Sequence, residues 1–117
     1  MSETKFTPGP WRYEQEGQKI WAKSVGGVRM EEANHMIADI RGWGHLQYLS
    51  NGEKVQDANG FLIAAAPDMY KELEEALNVF RFYQFHHASK GHSEKEQNNK
   101  QYADNIEKVL AKARGEG

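Results

Sequence analysis

Three side chains near the middle of the chain could perform acid–base chemistry if they met. His35 and Asp39 share one face of a run that alternates like a β-strand, and His45 follows soon after. Along a strand, however, positions 35 and 39 are about 13 Å apart, and no serine in a nucleophile-elbow setting accompanies them. We therefore expect no enzyme, and we keep a small His/Asp-dependent hydrolase as the alternative.

Three further histidines, His86, His87 and His92, could be interpreted as metal ligands. Adjacent residues on a helix point about 100° apart, so only one of the first two can join His92. A closed zinc site needs four ligands, often thiolates, and the chain has no cysteine. A charged histidine is also favourable at a helix C-terminus, which explains the cluster without a metal. The sequence predicts no metal and no cofactor.

Arginine and tryptophan are the residues best suited to hold a phosphate or a nucleotide base. Arg41 ends the alternating run, and Trp43 and His45 stand in the glycine-flanked segment Gly42-Trp43-Gly44-His45. Arg81 lies in the helical half, and oligomerisation could bring it to the others from another subunit. The candidate binding residues are therefore Arg41, Trp43, His45 and Arg81.

The secondary structure that must position these residues changes near residue 56, from predicted strands to predicted helices. Before it, alternating patterns predict four short strands, at residues 11–14, 19–25, 35–41 and 46–49. The third run places Met36, Ala38 and Ile40 on one face, and Asn51-Gly52 is a hairpin signal. We predict a small antiparallel sheet within residues 6–55.

After residue 56 the apolar residues recur with the period of an α-helix. Asp57 is predicted to cap a short helix that bends at Ala66-Pro67 into a long helix reaching about Ala88. Gly91 ends that helix, and Ser93 with Glu96 has the spacing of a capping box.

The last two helices should fold back on each other as an antiparallel hairpin, because only a few residues join them. The last helix of the hairpin carries an apolar stripe that includes Tyr102, Val109 and Leu110. We predict an α+β fold and a single domain over residues 1–117, with the helical part at 57–115.

The long helix carries more apolar residues than one packing partner requires. One apolar stripe of this helix should face the last helix. Further apolar and aromatic side chains lie largely off that stripe, at Val79, Phe82, Phe85 and His86. Either the sheet covers them or a second surface does. We predict a homodimer or larger even-numbered oligomer with this segment in the contact, because a two-fold contact is the commonest way to bury a spare apolar face.

Two segments together resemble a known group of proteins. Thr7-Pro8-Gly9-Pro10-Trp11 opens the domain, and residues 58–67, ANGFLIAAAP, stand where sheet gives way to helix. The pair is similar to small phage and prophage accessory proteins, including the Ead-type family of lambdoid phages. The resemblance implies a protein made by a phage in the cytoplasm of a bacterial host and acting on host systems, and it supplies no catalytic residues.

Composition excludes several classes of function. Fifteen basic and seventeen acidic residues give a net charge of −2, and each half of the chain carries −1, so nucleic-acid binding is not expected. The longest apolar run, residues 61–66, is too short to span a membrane, and the polar start does not have the pattern of a secretory signal.

The leading hypothesis is a non-enzymatic phage accessory protein that binds a host protein or a small nucleotide signal, in order to counter a bacterial defence. An oligomeric nucleotide sponge competes with direct capture of a protein. A sponge needs arginines and an aromatic residue in one pocket, whereas a protein binder needs an exposed apolar patch.

Overall fold

The structure, a computed structural model, describes residues 4–23, 34–41 and 52–116. In this part of the chain, three strands precede three helices: β1 (Trp11–Glu14), β2 (Lys19–Lys23), β3 (Asn34–Asp39), α1 (Gly52–Ala64), α2 (Ala66–Ser89) and α3 (Ser93–Ala113). The strands form an antiparallel sheet in the order β1-β2-β3, and α2 and α3 form a helical hairpin. The predicted α+β class is confirmed.

The chain divides into two compact units. The sheet unit holds residues 6–68, and the hairpin unit holds the chain after Asp68 together with Thr4 and Lys5. The single domain over residues 1–117 stays a prediction.

The core of the sheet unit lies on one face of β2, the central strand. Ile20 and Ala22 are 0% and 2% exposed there, as their alternation predicts. Helix α1 packs against β1 and β2. The ring of Tyr13 lies over Gly60 so closely that a Cβ at position 60 would overlap it. Gly60 therefore lets the helix approach the strand.

A bulge at Ile37 changes which side of β3 is buried. Ile20 pairs with Ala38, but the next residue, Trp21, pairs with Met36, so the register shifts by one. Paired residues share a face, and the shift therefore puts Met36 on the face opposite Ala38. Met36 is 54% exposed. The prediction that both residues share one face was wrong.

Helix α1 begins five residues earlier than predicted. Gly52 is its first residue, so Asp57 lies inside the helix and does not cap it, and residues 52–55 belong to no strand. The carboxylate of Asp57 instead accepts hydrogen bonds from the Tyr13 hydroxyl at 2.8 Å and the Gln15 amide at 3.3 Å. The predicted strand at 46–49 lies outside the described residues.

The helical hairpin of α2 and α3 is confirmed, and Gly91 ends α2 as predicted. Gly91 has a φ of +73°, and the amides of His92 and Gly91 donate to the carbonyls of His87 and Ala88, a Schellman motif that ends α2. The predicted capping box is wrong, because Ser93 already lies in α3 and its N-cap, His92, makes no side-chain capping bond.

The buried stripe of α3 differs in part from the predicted one. Ala103 and Leu110 are 0% and 2% exposed, whereas Tyr102 and Val109 are exposed. Ala103 is small enough to be overlooked in an apolar pattern, yet it is fully buried.

Candidate interaction surface

One side of α2 is occupied by α3. The Arg81 guanidinium forms ion pairs with Asp104 at 2.9 Å and Glu107 at 2.8 Å, and the hydrogen bond with Glu107 raises the pKa of Arg81. The rings of Phe80 and Tyr102 lie 5.3 Å apart. Arg81 and Phe80 thus hold the two helices together.

The opposite side of α2 is apolar and exposed. At about 100° per residue, Phe82 points roughly 200° away from Phe80, and so away from α3. Phe82 and Phe85 are 64% and 66% exposed, and Val79 is 51% exposed. With the exposed His86 they form one continuous patch, which we call the aromatic surface.

The rings of the aromatic surface support one another. His86 stacks on Phe82 with the ring planes 10° apart, and Tyr83 meets Phe82 edge-on at 5.4 Å between centroids. Such contacts limit the rotamers of Phe82 before any partner arrives. A surface ordered in this way loses less entropy on binding than a set of free side chains.

The histidines meet beside this surface, at the turn of the hairpin. The Nδ1 atoms of His87 and His92 are 3.4 Å apart, while His86 turns its ring edge-on to His87. Of the adjacent histidines His86 and His87, only His87 contacts His92 through its Nδ1 atom, so the prediction that only one of them can do so is confirmed. Desolvation, and then the nearby His86, Lys95 and His92, lower the pKa of His87. No group of three or more potential metal ligands occurs among the residues that the structure describes.

The four candidate binding residues do not form one described site. Arg41 lies in the sheet unit, where its guanidinium pairs with Asp39 at 2.9 Å. Arg81 lies in the hairpin unit and is held between two carboxylates of α3. Trp43 and His45 lie outside the described residues. Arg41 and Arg81 thus each form ion pairs within their own unit.

The acid–base candidates are also separated. In the sheet register His35 lies opposite Ala22, near one end of β3, and Asp39 lies opposite Lys19 at the other end. The hydrogen bonds with Arg41 lower the pKa of Asp39. The carboxylate thus pairs with an arginine within its own unit, and His45 lies outside the described residues.

Sequence reasoning missed the polar cluster of Tyr13, Gln15 and Asp57. Burial of the Tyr13 hydroxyl, followed by its hydrogen bond to Asp57, raises the pKa of Tyr13 to about 12. Residues 13 and 57 are 44 positions apart, and no local pattern joins them. This cluster ties α1 to β1.

An open groove of about 590 Å³ runs between α2 and α3. Its walls are formed by apolar Leu77 and Leu110 and by charged residues that include Glu107 and Arg114. Glu107 pairs with Arg81, and Arg114 donates to Glu116 and to the Tyr70 hydroxyl. The ion pair of Glu107 with Arg81 and the hydrogen bond of Arg114 to Tyr70 link α3 and its C-cap to α2.

The comparison with known families gives the biological setting. A family model described as Salmonella phage P22 protein Y8K6 matches residues 1–117. The chain belongs to this phage protein family. The predicted phage origin is confirmed, and kinship with the Ead-type family stays a hypothesis. No curated protein and no solved structure matches the chain. Among the described residues, no helix has the length and apolar character needed to cross a bilayer.

Proposed function

We propose that this phage protein is a non-enzymatic accessory protein that binds a bacterial host protein through the aromatic surface of α2. The observation that carries the proposal is the exposure of adjacent Phe82 and Phe85, at 64% and 66%. The setting is the infected cell, where we expect the bound protein to belong to a host defence.

Leaving these rings in water is costly. An aromatic side chain offers roughly 150–250 Å² of surface, so Phe82 and Phe85 together expose on the order of 250 Å². At about 25 cal/mol per Å², covering them contributes roughly 6 kcal/mol before the costs of association. Clusters of buried aromatic residues commonly dominate the energy of a protein interface. The aromatic surface has the chemistry of such a cluster.

A nucleotide signal is less well supported as the ligand. Recognition of phosphate by arginine requires free N–H groups of the guanidinium. The guanidinium groups of Arg41 and Arg81 already donate to carboxylates of their own units. A nucleotide sponge would therefore have to break ion pairs that the fold makes.

A hydrolase is the alternative from another class. It would need a base close to the group that it activates. Asp39 is paired with Arg41, and Asp57 accepts hydrogen bonds from Tyr13 and Gln15. These arrangements favour a structural role for both carboxylates.

Two valines make a matched pair for testing the proposal. Val79 lies on the aromatic surface of α2 and Val109 lies on α3, and both are 51% exposed. We predict that Val79→Glu reduces capture of at least one bacterial protein from host lysate by about tenfold or more, and that Val109→Glu leaves it unchanged. Each valine is half exposed, so both variants should keep the wild-type melting temperature within a few degrees. Equal capture by all three proteins would contradict the proposal.

A second copy of the chain is the competing occupant of the aromatic surface, since the sequence analysis predicts a homodimer there. Light scattering on the purified protein separates the two occupants. A monomer at high concentration leaves the surface available to a host protein. A dimer that Val79→Glu dissociates and Val109→Glu does not would assign the surface to self-association and would contradict binding of a host protein there.

A further inference from the structure

Two imidazole rings join the end of α2 to the start of α3 at the turn of the hairpin unit. Nδ1 of His87, in the last turn of α2, lies 3.4 Å from Nδ1 of His92, the N-cap of α3. The backbone holds the two residues close together, because the amide of His92 donates to the carbonyl of His87 at 2.9 Å. The rings add a direct hydrogen bond between side chains to this backbone bond.

A hydrogen bond between two imidazoles depends on the number of protons that they carry. One Nδ1 atom must carry hydrogen and the other must present a lone pair, so at least one ring has to be neutral. When both rings are charged, both Nδ1 atoms carry hydrogen, and repulsion replaces the bond. We propose that His87 and His92 form a proton-sensitive link between α2 and α3, which is closed while one ring is neutral and opens when both are charged.

Among the described residues, only basic groups act electrostatically on His87. They come from α2, from the turn and from α3: His86, His92 and Lys95. The acidic residues in the first turn of α3, Glu94 and Glu96, are not among them. A second proton on the pair is therefore added without a carboxylate to compensate its charge.

The same surroundings assign a role to each ring. Desolvation, followed by the nearby basic groups, lowers the pKa of His87 from its ordinary value of 6.5. We therefore expect His87 to be the neutral ring that accepts the hydrogen bond. His92 then carries hydrogen on its Nδ1 atom and donates it.

The link also reaches the aromatic surface. Tyr83 stacks on His87 with the ring planes 24° apart, and it meets Phe82 edge-on. When His87 loses its bond to His92, Tyr83 loses a neighbour that both helices hold in place. Acid should therefore loosen the order of the aromatic surface in the free chain, whatever its binding partner is.

Nuclear magnetic resonance of the free protein tests the link. At about pH 7.5, long-range ¹H–¹⁵N spectra should show hydrogen on Nδ1 of His92 and a lone pair on Nδ1 of His87. A hydrogen bond to the neutral form lowers the pKa of an imidazole, so His92→Ala should raise the pKa of His87 toward 6.5. His35→Ala, which removes a histidine of the sheet unit, is the control and should leave the pKa of His87 unchanged.

Urea unfolding gives a second readout. Because the pKa of His87 is lowered in the folded chain, its contribution to stability is complete above its unfolded value of about 6.5 and is lost as the pH falls through the lower folded value. Between about pH 8 and pH 5, the wild type should therefore lose stability more steeply than His92→Ala. If circular dichroism shows that this variant loses helix, His92→Asn, which restores a good N-cap residue, replaces it.

Three results would overturn the proposal. The first is hydrogen on Nε2 and a lone pair on Nδ1 in both rings at about pH 7.5. The second is an unchanged pKa of His87 when His92 is replaced. The third is a wild type and a His92 variant whose stabilities fall in parallel with pH.

Discussion

A single hydroxyl group connects the first strand and the first helix of the sheet unit. The Tyr13 hydroxyl donates to Asp57 at 2.8 Å, and its ring packs edge-on against Phe61 at 5.1 Å between centroids. The same residue thus contributes an apolar and a polar contact. The polar contact exists only while the hydroxyl carries its proton.

This requirement predicts a loss of stability in alkali. The pKa of Tyr13 rises from 10.0 to about 12 in the folded chain, so the fold favours the protonated form. Its contribution is complete below pH 10 and is lost as the pH rises through the folded value of about 12. Urea unfolding measured between pH 9 and 12 should show a steeper loss for the wild type than for Tyr13→Phe. Parallel curves for the two proteins would contradict this role of the hydroxyl.

At this scale, sequence reasoning could place Tyr13 but not its partner. The alternation of residues 11–14 puts Trp11 and Tyr13 on one face of β1, and both are half-buried there. Asp57 has the residue type of a helix cap, but the helix begins at Gly52, so Asp57 was free to bond across the unit. A local rule cannot distinguish these two uses of one carboxylate.

At the scale of elements, the packing of α1 on β1 depends on the absence of a side chain at Gly60. In an exposed helix, replacing glycine by alanine stabilises by about 1 kcal/mol. Here a methyl group at position 60 would overlap the ring of Tyr13. The overlap should outweigh the gain in helix propensity, because overpacking typically costs about 1–3 kcal/mol.

Gly60→Ala is therefore predicted to lower the free energy of unfolding by about 1 kcal/mol, and by no more than about 2 kcal/mol, once the gain in helix propensity is subtracted. The control is the same change made in Tyr13→Ala, where the ring is gone and alanine should stabilise α1. Chemical denaturation of the four proteins gives the coupling between the two positions. A Gly60→Ala variant as stable as the wild type, or equal effects in both backgrounds, would show that the close approach is unimportant.

Elements with strong local signals could be predicted well from sequence. The 3.6-residue period and Gly91 gave the α2–α3 hairpin, because both signals act within a few residues of the feature they determine. The predicted face of Met36 was wrong because β3 has one extra residue, Ile37, opposite the step from Ile20 to Trp21, and nothing in the local alternation marks it. Helical spacing allowed only one of His86 and His87 to meet His92, but which of the two does so depends on the geometry of the turn.

For the molecule as a whole, we propose that the aromatic surface is a contact for another protein. The sequence indicated this surface through an excess of aromatic residues in α2, and the structure adds that Phe82 and Phe85 are exposed within this chain. Neither observation identifies the occupant, because a host protein and a second copy can cover the same rings.

Site-specific photocrosslinking in host cells identifies what covers the aromatic surface during infection. A photoreactive residue is introduced as Phe82→p-benzoylphenylalanine, and Val109→p-benzoylphenylalanine is the control at an exposed position of α3. We predict that illumination joins position 82, and not position 109, to a bacterial protein, giving a discrete adduct heavier than the chain. No adduct at position 82, equal adducts at both positions, or an adduct with the mass of two copies of the chain would contradict binding of a host protein to the aromatic surface.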